Sequence, residues 1–94
     1  MYSIQFTNAS LRIFKKLPKD VQDQIKKRVV ILKDNPLSGE QLKGVFHKFR
    51  SLHLSLNGVS YRVIYQVLPK VNTVIIFLAD KRENIYKRLE TQIS

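Results

Sequence analysis

The stretch Arg50-Ser-Leu-His-Leu-Ser-Leu-Asn-Gly-Val-Ser-Tyr-Arg-Val-Ile-Tyr-Gln-Val-Leu68 decides the fold. Leu52, Leu54 and Leu56 alternate with Ser51, His53 and Ser55, the period-two signature of a strand with one apolar face. Asn57-Gly58 is a strong hairpin signal. From Tyr61 to Leu68 apolar residues occupy both faces, as a central strand requires. Pro69 to Asn72 turns the chain again, and Thr73-Val-Ile-Ile-Phe-Leu-Ala79 reads as a further buried strand. Three consecutive strands joined by short turns predict an antiparallel meander.

Working outward, Tyr2, Ile4 and Phe6 alternate with Ser3 and Gln5 and predict a first strand. Asn8 is placed to cap a short helix with Leu11, Phe14 and Leu17 on one face. Pro18 ends that helix and opens a second, in which Val21, Ile25, Val29 and Leu32 keep helical spacing to about Lys33. Pro36 disfavours helix at Asn35 and stops it. Residues 37–47 read as loop, with Gly39 and Gly44 as turn points. Ile85, Leu89 and Ile93 mark a short terminal helix. The expectation is one α+β domain over residues 1–94: an antiparallel sheet packed by an N-terminal helical hairpin, with a short C-terminal helix.

Ninety-four residues suffice for one core. Seventeen Lys and Arg against seven Asp and Glu leave a formal charge of +10, which directs the chain toward a polyanion or an acidic partner. Cysteine is absent, which excludes a disulfide framework and thiolate metal sites. No run approaches the roughly 20 apolar residues of a membrane helix, and the N-terminus lacks a signal-peptide pattern, so a cytoplasmic protein is expected.

Arg62 is predicted mid-strand beside apolar neighbours. It needs either an anionic substrate or a salt bridge to Asp80 or Glu83. Arg82 and Tyr86 are four apart and share a face if the last helix starts near Lys81. The alternatives are a solvated cap residue and a core aromatic with its hydroxyl at the edge. His53 is placed to act as general base or acid, or is simply an exposed strand histidine; His47 lies in loop. Neither histidine has metal-ligand company, so no metal and no cofactor are expected. Lys43, Lys48 and Arg50 cluster before the second strand, and Lys15, Lys16, Lys19, Lys26, Lys27 and Arg28 cluster on the helical hairpin. Such runs are solvated faces or docking sites for RNA or an acidic partner.

Leu42-Lys-Gly44, Tyr61-Arg-Val-Ile-Tyr65 and Arg82-Glu-Asn-Ile-Tyr86, with Leu17-Pro18 between two helices, resemble the RelE/ParE superfamily of bacterial and archaeal toxins. These are the toxic halves of type II toxin–antitoxin pairs. The resemblance covers nearly the whole chain. It implies a metal-independent endoribonuclease that enters the A site of the 30S ribosomal subunit, cuts mRNA there and inhibits translation. In that chemistry the ribose 2′-oxygen attacks the neighbouring phosphate and leaves a 2′,3′-cyclic phosphate and a 5′-hydroxyl. The family's two arginines map onto Arg62 and Arg82, and its tyrosine onto Tyr86. Where the family carries two outward lysines this chain has Ser51 and His53, which makes His53 the candidate base and assigns Lys48 or Arg50 the missing cation. Lys43, Lys48, Arg50, Ser51 and Lys81 are the residues expected to touch RNA. The resemblance also implies a cognate antitoxin that folds on the toxin. The ParE-like alternative is a DNA gyrase inhibitor that cuts nothing.

Overall fold

The computed structural model describes the backbone of residues 1–93 and the side chains of residues 1–91. Ile93, expected to continue the apolar face of the last helix, has its side chain outside the described residues. Strand β1 (Ser3–Phe6) leads into helices α1 (Asn8–Lys15) and α2 (Lys19–Val29), and a 3₁₀ turn over Val30–Lys33 extends α2. A two-residue strand β2 (Glu40–Gln41) precedes β3 (Arg50–Leu56), β4 (Val59–Leu68), β5 (Thr73–Lys81) and helix α3 (Arg82–Ile93). The sheet order is β1-β5-β4-β3-β2.

The meander β3-β4-β5 forms as the alternation requires. Asn57 and Gly58 both take positive φ, +54° and +76°, at the β3–β4 turn, which is why that dipeptide is favoured there. Two features correct the expected sheet. β1 pairs with β5 in parallel, Ser3 opposite Thr73 through Phe6 opposite Ile76, so the sheet is mixed. The segment read as loop over residues 37–47 contains β2, with Glu40 opposite Ser51 and Gln41 opposite Arg50. Two residues are too few to carry a periodicity, so β2 is defined by its partner strand.

The cap of α1 also differs. Thr7, not Asn8, is the N-cap, and its hydroxyl accepts from the Ser10 amide at 3.1 Å. Ser10 is buried, and its hydroxyl donates to the Ile76 carbonyl at 2.8 Å, which pins α1 to β5. The helical hairpin covers one sheet face. Phe14, Val21, Ile25, Val29 and Leu32 pack on Leu52, Tyr61, Val63, Tyr65 and Ile76. The Tyr65 hydroxyl donates to the Pro36 carbonyl and accepts from the Gly39 amide, both at 2.8 Å. Gly39 is confined to glycine by this approach, since a Cβ there would lie 2.7 Å from Tyr65 Cε1.

The second face carries its own core. Ile85 and Leu89 of α3 pack with Phe49, Ile64 and Leu78. An irregularity in the β4–β5 pairing makes this possible: Ile64 faces Leu78 while Tyr65 faces Ile76, so Phe77 is the extra residue. α3 therefore leaves β5 over the sheet, and its first turns meet the end of β4 at Arg62.

Candidate active site

The pairing register puts three polar side chains in one row across the sheet. His53 of β3 is opposite Arg62 of β4, and Arg62 is opposite Asp80 of β5. Directly paired residues point to the same face, so all three stand on the side covered by α3. Arg62 is half-buried. Its Nη1 donates to the Tyr86 hydroxyl at 3.3 Å, while its Nε is buried without a hydrogen-bond partner among the described residues. Tyr86 is 42% exposed, so its ring stands at the protein surface and not in the core. Arg82 opens α3 one turn before Tyr86. Arg82, Tyr86, Lys81 and Glu83 line an open cleft with Gly58, Val59 and Ser60 of the β3–β4 hairpin.

Asp80 resolves the ambiguity about Arg62. Neither Asp80 nor Glu83 bonds Arg62. Asp80 is buried and accepts from Arg88 Nε at 2.7 Å and from the Lys81 amide at 2.7 Å. The guanidinium of Arg62 is left with the Tyr86 hydroxyl as its hydrogen-bond partner among the described residues. His53 is exposed, and its Nε2 lies 3.4 Å from Glu40 Oε2 of β2. If that nitrogen carries the proton, Nδ1 is left as the acceptor. Glu40 went unread in the sequence because the strand that delivers it did.

Residues 4–90 match the family described as ParE-like toxin of type II bacterial toxin-antitoxin system. The chain belongs to that family. It is similar to the mRNA interferase toxin RelE of Escherichia coli K12, with 28% identity over 83 residues, 87% of this chain and 84% of the relative. An arginine-to-alanine double variant of E. coli RelE in the free state superposes with a TM-score of 0.79 at 25% identity, covering 99% of this chain and 98% of that one. The toxin subunit of the intact E. coli RelBE toxin–antitoxin complex gives 0.74 at 27% identity, covering 86% and 96%. The fold of this toxin is thus the RelE fold, including the mixed sheet and the terminal helix.

The remaining sequence candidates divide by position. Lys81, the last residue of β5, lies in the cleft beside Arg82. Lys43 and Lys48 are exposed on either side of the 3₁₀ turn Gly44–Phe46, in a loop closed by the Leu42 amide to the Phe49 carbonyl at 3.0 Å. The structure does not bring them to Arg62. Two expectations need correction. Arg50 points to the face opposite Arg62, and its Nη1 donates to the carbonyls of Gly39 at 2.7 Å and Leu37 at 3.2 Å. Its charge is spent on the loop that carries β2. Ser51 faces the same side as His53 but is only 1% exposed, between Glu40 and Ile64. It was expected outward because the alternation of β3 alone could not reveal that α3, Phe49 and β2 close that part of the face. Of the two residues assigned the missing cation, Arg50 is thus turned away from Arg62, and Lys48 is exposed on the loop.

Proposed function

We propose that this toxin is a ribosome-dependent endoribonuclease that cuts mRNA in the A site and thereby stops translation. The observation that carries the reading is that Arg82 and Tyr86 line one cleft while Arg62 reaches the Tyr86 hydroxyl at 3.3 Å, with His53 next to Arg62 in the same row. Cleavage by the 2′-oxygen needs a group to take the 2′-hydroxyl proton, cations to hold the extra charge on the phosphorane, and a proton for the departing 5′-oxygen. His53 takes the first proton through Nδ1, with Glu40 orienting the ring. Arg62 and Arg82 hold the phosphorane oxygens. Tyr86, fixed by Arg62, supports the nucleotide by stacking, and its hydroxyl gives the proton to the departing 5′-oxygen. The P–O5′ bond breaks as the 2′-oxygen–phosphorus bond forms, leaving the 2′,3′-cyclic phosphate and the 5′-hydroxyl.

A basic toxin of this kind binds an acidic, partly disordered cognate antitoxin, and the RelBE complex supports that partner by likeness of fold. Among the described residues no helix is long and apolar enough to cross a membrane, in keeping with action in the cytoplasm. The ParE-like alternative, gyrase inhibition without cleavage, draws no support from the E. coli relative, whose name is that of an mRNA interferase.

The test is primer extension on a defined mRNA held in purified ribosomes. New 5′ ends within the A-site codon are expected, absent without ribosomes. Arg62→Ala and Arg82→Ala are each expected to slow cleavage by about 10²–10³-fold, the loss typical of one oxyanion-stabilising donor. Undiminished cleavage by both variants would sink the nuclease reading. No cleavage at saturating wild-type protein would move attention to a gyrase supercoiling assay.

A further inference from the structure

Among the described residues Asp80 is the buried charged side chain. It stands directly opposite Arg62 in the β4–β5 register, and paired Cβ atoms are about 4.5–5.5 Å apart. Its carboxylate is nonetheless turned to α3, bonding Arg88 Nε at 2.7 Å and Asn84 Nδ2 at 3.4 Å. Arg62 in turn keeps a buried Nε with no partner among the described residues and reaches only Tyr86. Two arginines therefore flank Asp80, Arg88 bonded to its carboxylate and Arg62 opposite it in the register.

We propose that Arg88 is a positioning residue: by holding Asp80, it keeps that carboxylate from capturing Arg62 and so keeps the Arg62 charge available to phosphate. The catalytic consequence rests on the nuclease reading; the exchange of partners does not. A buried carboxylate that loses its cation is strongly unfavourable and takes the next one within reach. Lys16 and Lys81 also line the pocket that Asp80 shares with Arg88, but both are exposed; Arg62 stands directly opposite by register, and its orphaned Nε gains a partner in the exchange. A captured Arg62 is neutralised and pulled from Tyr86, and it no longer stabilises developing negative charge. Arg88 touches no reacting atom in this scheme. His53 and Glu40 form their own pair on the other side of Arg62 and do not compete for Asp80.

The test compares wild type with Arg88→Ala, Asp80→Asn and the double variant. Asn keeps an oxygen to accept from the Lys81 amide but cannot neutralise Arg62. Ribosome-bound cleavage is expected to fall about tenfold or more in Arg88→Ala, the effect of weakening one charge-stabilising donor. Asp80→Asn is expected to stay within about threefold of wild type, and so is the double variant, the recovery a coupled pair gives. A double variant as slow as Arg88→Ala would make Arg88 merely structural and overturn the proposal. The second readout is the Arg62 Nε–H resonance of ¹⁵N-labelled protein. It is expected to move downfield and exchange more slowly in Arg88→Ala, and to return in the double variant. An unmoved resonance overturns the proposal whatever the rates. A moved and restored resonance in a protein that cuts no RNA would uphold the exchange of partners while removing the nuclease reading. Should Arg88→Ala fail to fold, Arg88→Met keeps the packing stem and carries the same expectations.

Discussion

His53 and Tyr65 illustrate two uses of a polar ring on one sheet. His53 is exposed on β3, beside Arg62 and within 3.4 Å of Glu40. His53→Gln keeps a hydrogen-bonding side chain but cannot take a proton, so cleavage is expected to slow at least about tenfold, the lower range for a lost general base. Wild-type rates in single-turnover assays of that variant would remove His53 from the mechanism. Tyr65 is fully buried, and burial pushes its phenol above the ordinary 10.0, opposed in part by the Gly39 amide bond and by the charge of Arg50. The neutral phenol is thus favoured in the folded state. Because the folded value lies above the unfolded one, this stabilisation is complete below about pH 10 and is lost as pH rises through the folded value. Tyr65→Phe is expected to cost about 1–2 kcal/mol near neutral pH through its two lost hydrogen bonds. Urea midpoints measured against pH are expected to show that gap closing above about pH 10. A gap independent of pH would contradict the assigned role of burial.

Helix α3 is the element on which the site depends. It presents Ile85 and Leu89 to Phe49, Ile64 and Leu78, and along the margin of that stripe it presents Arg82 and Tyr86 to the cleft. Residues 82, 86 and 89 fall on neighbouring turns of one face, so the packing of Leu89 sets the reach of Arg82 and Tyr86. Leu89 is fully buried. Leu89→Ala is expected to cost about 3 kcal/mol in chemical denaturation, the middle of the range for a truncated core leucine. Cleavage is expected to fall further than the unfolded fraction accounts for, because Tyr86 and Arg82 lose their register against Arg62. Equal losses of activity and folded population would separate α3 packing from the site. The helix was legible in the sequence from Ile85 and Leu89, yet its consequence was not. Ser51 looked outward on the pattern of β3 alone, and only the path of α3 and the pairing of β2 show that it is enclosed.

At the scale of the whole molecule, charge dominates. A formal +10 on 94 residues suits a partner rich in phosphate, such as the ribosome of the proposed function. Lys26, Lys27 and Arg28 are exposed in the last turn of α2, and Lys43 and Lys48 are exposed on the β2–β3 loop, away from the cleft. They are expected to add affinity and no chemistry. Raising salt from about 50 to about 200 mM is expected to weaken ribosome association on the order of 50-fold, the loss that three to four displaced counterions produce. Cosedimentation across a salt series measures this directly, and a flat response would rule out phosphate contacts as the source of affinity.

The sequence by itself determined the element order, the meander, the helical hairpin and the pairing of Arg82 with Tyr86 along one helix. Each of these is a local matter of periodicity, capping and turn chemistry, written in neighbouring residues. The resemblance to the toxin superfamily followed from the same local motifs. The tertiary structure decided what local pattern cannot encode. It set β1 parallel to β5, created β2 by pairing it with β3, and buried Ser51. It also sent Arg50 to backbone carbonyls and Asp80 to Arg88, leaving Arg62 turned toward Tyr86. A charged side chain chooses its partner by distance and desolvation, and both come into being only when segments remote in the chain are brought together.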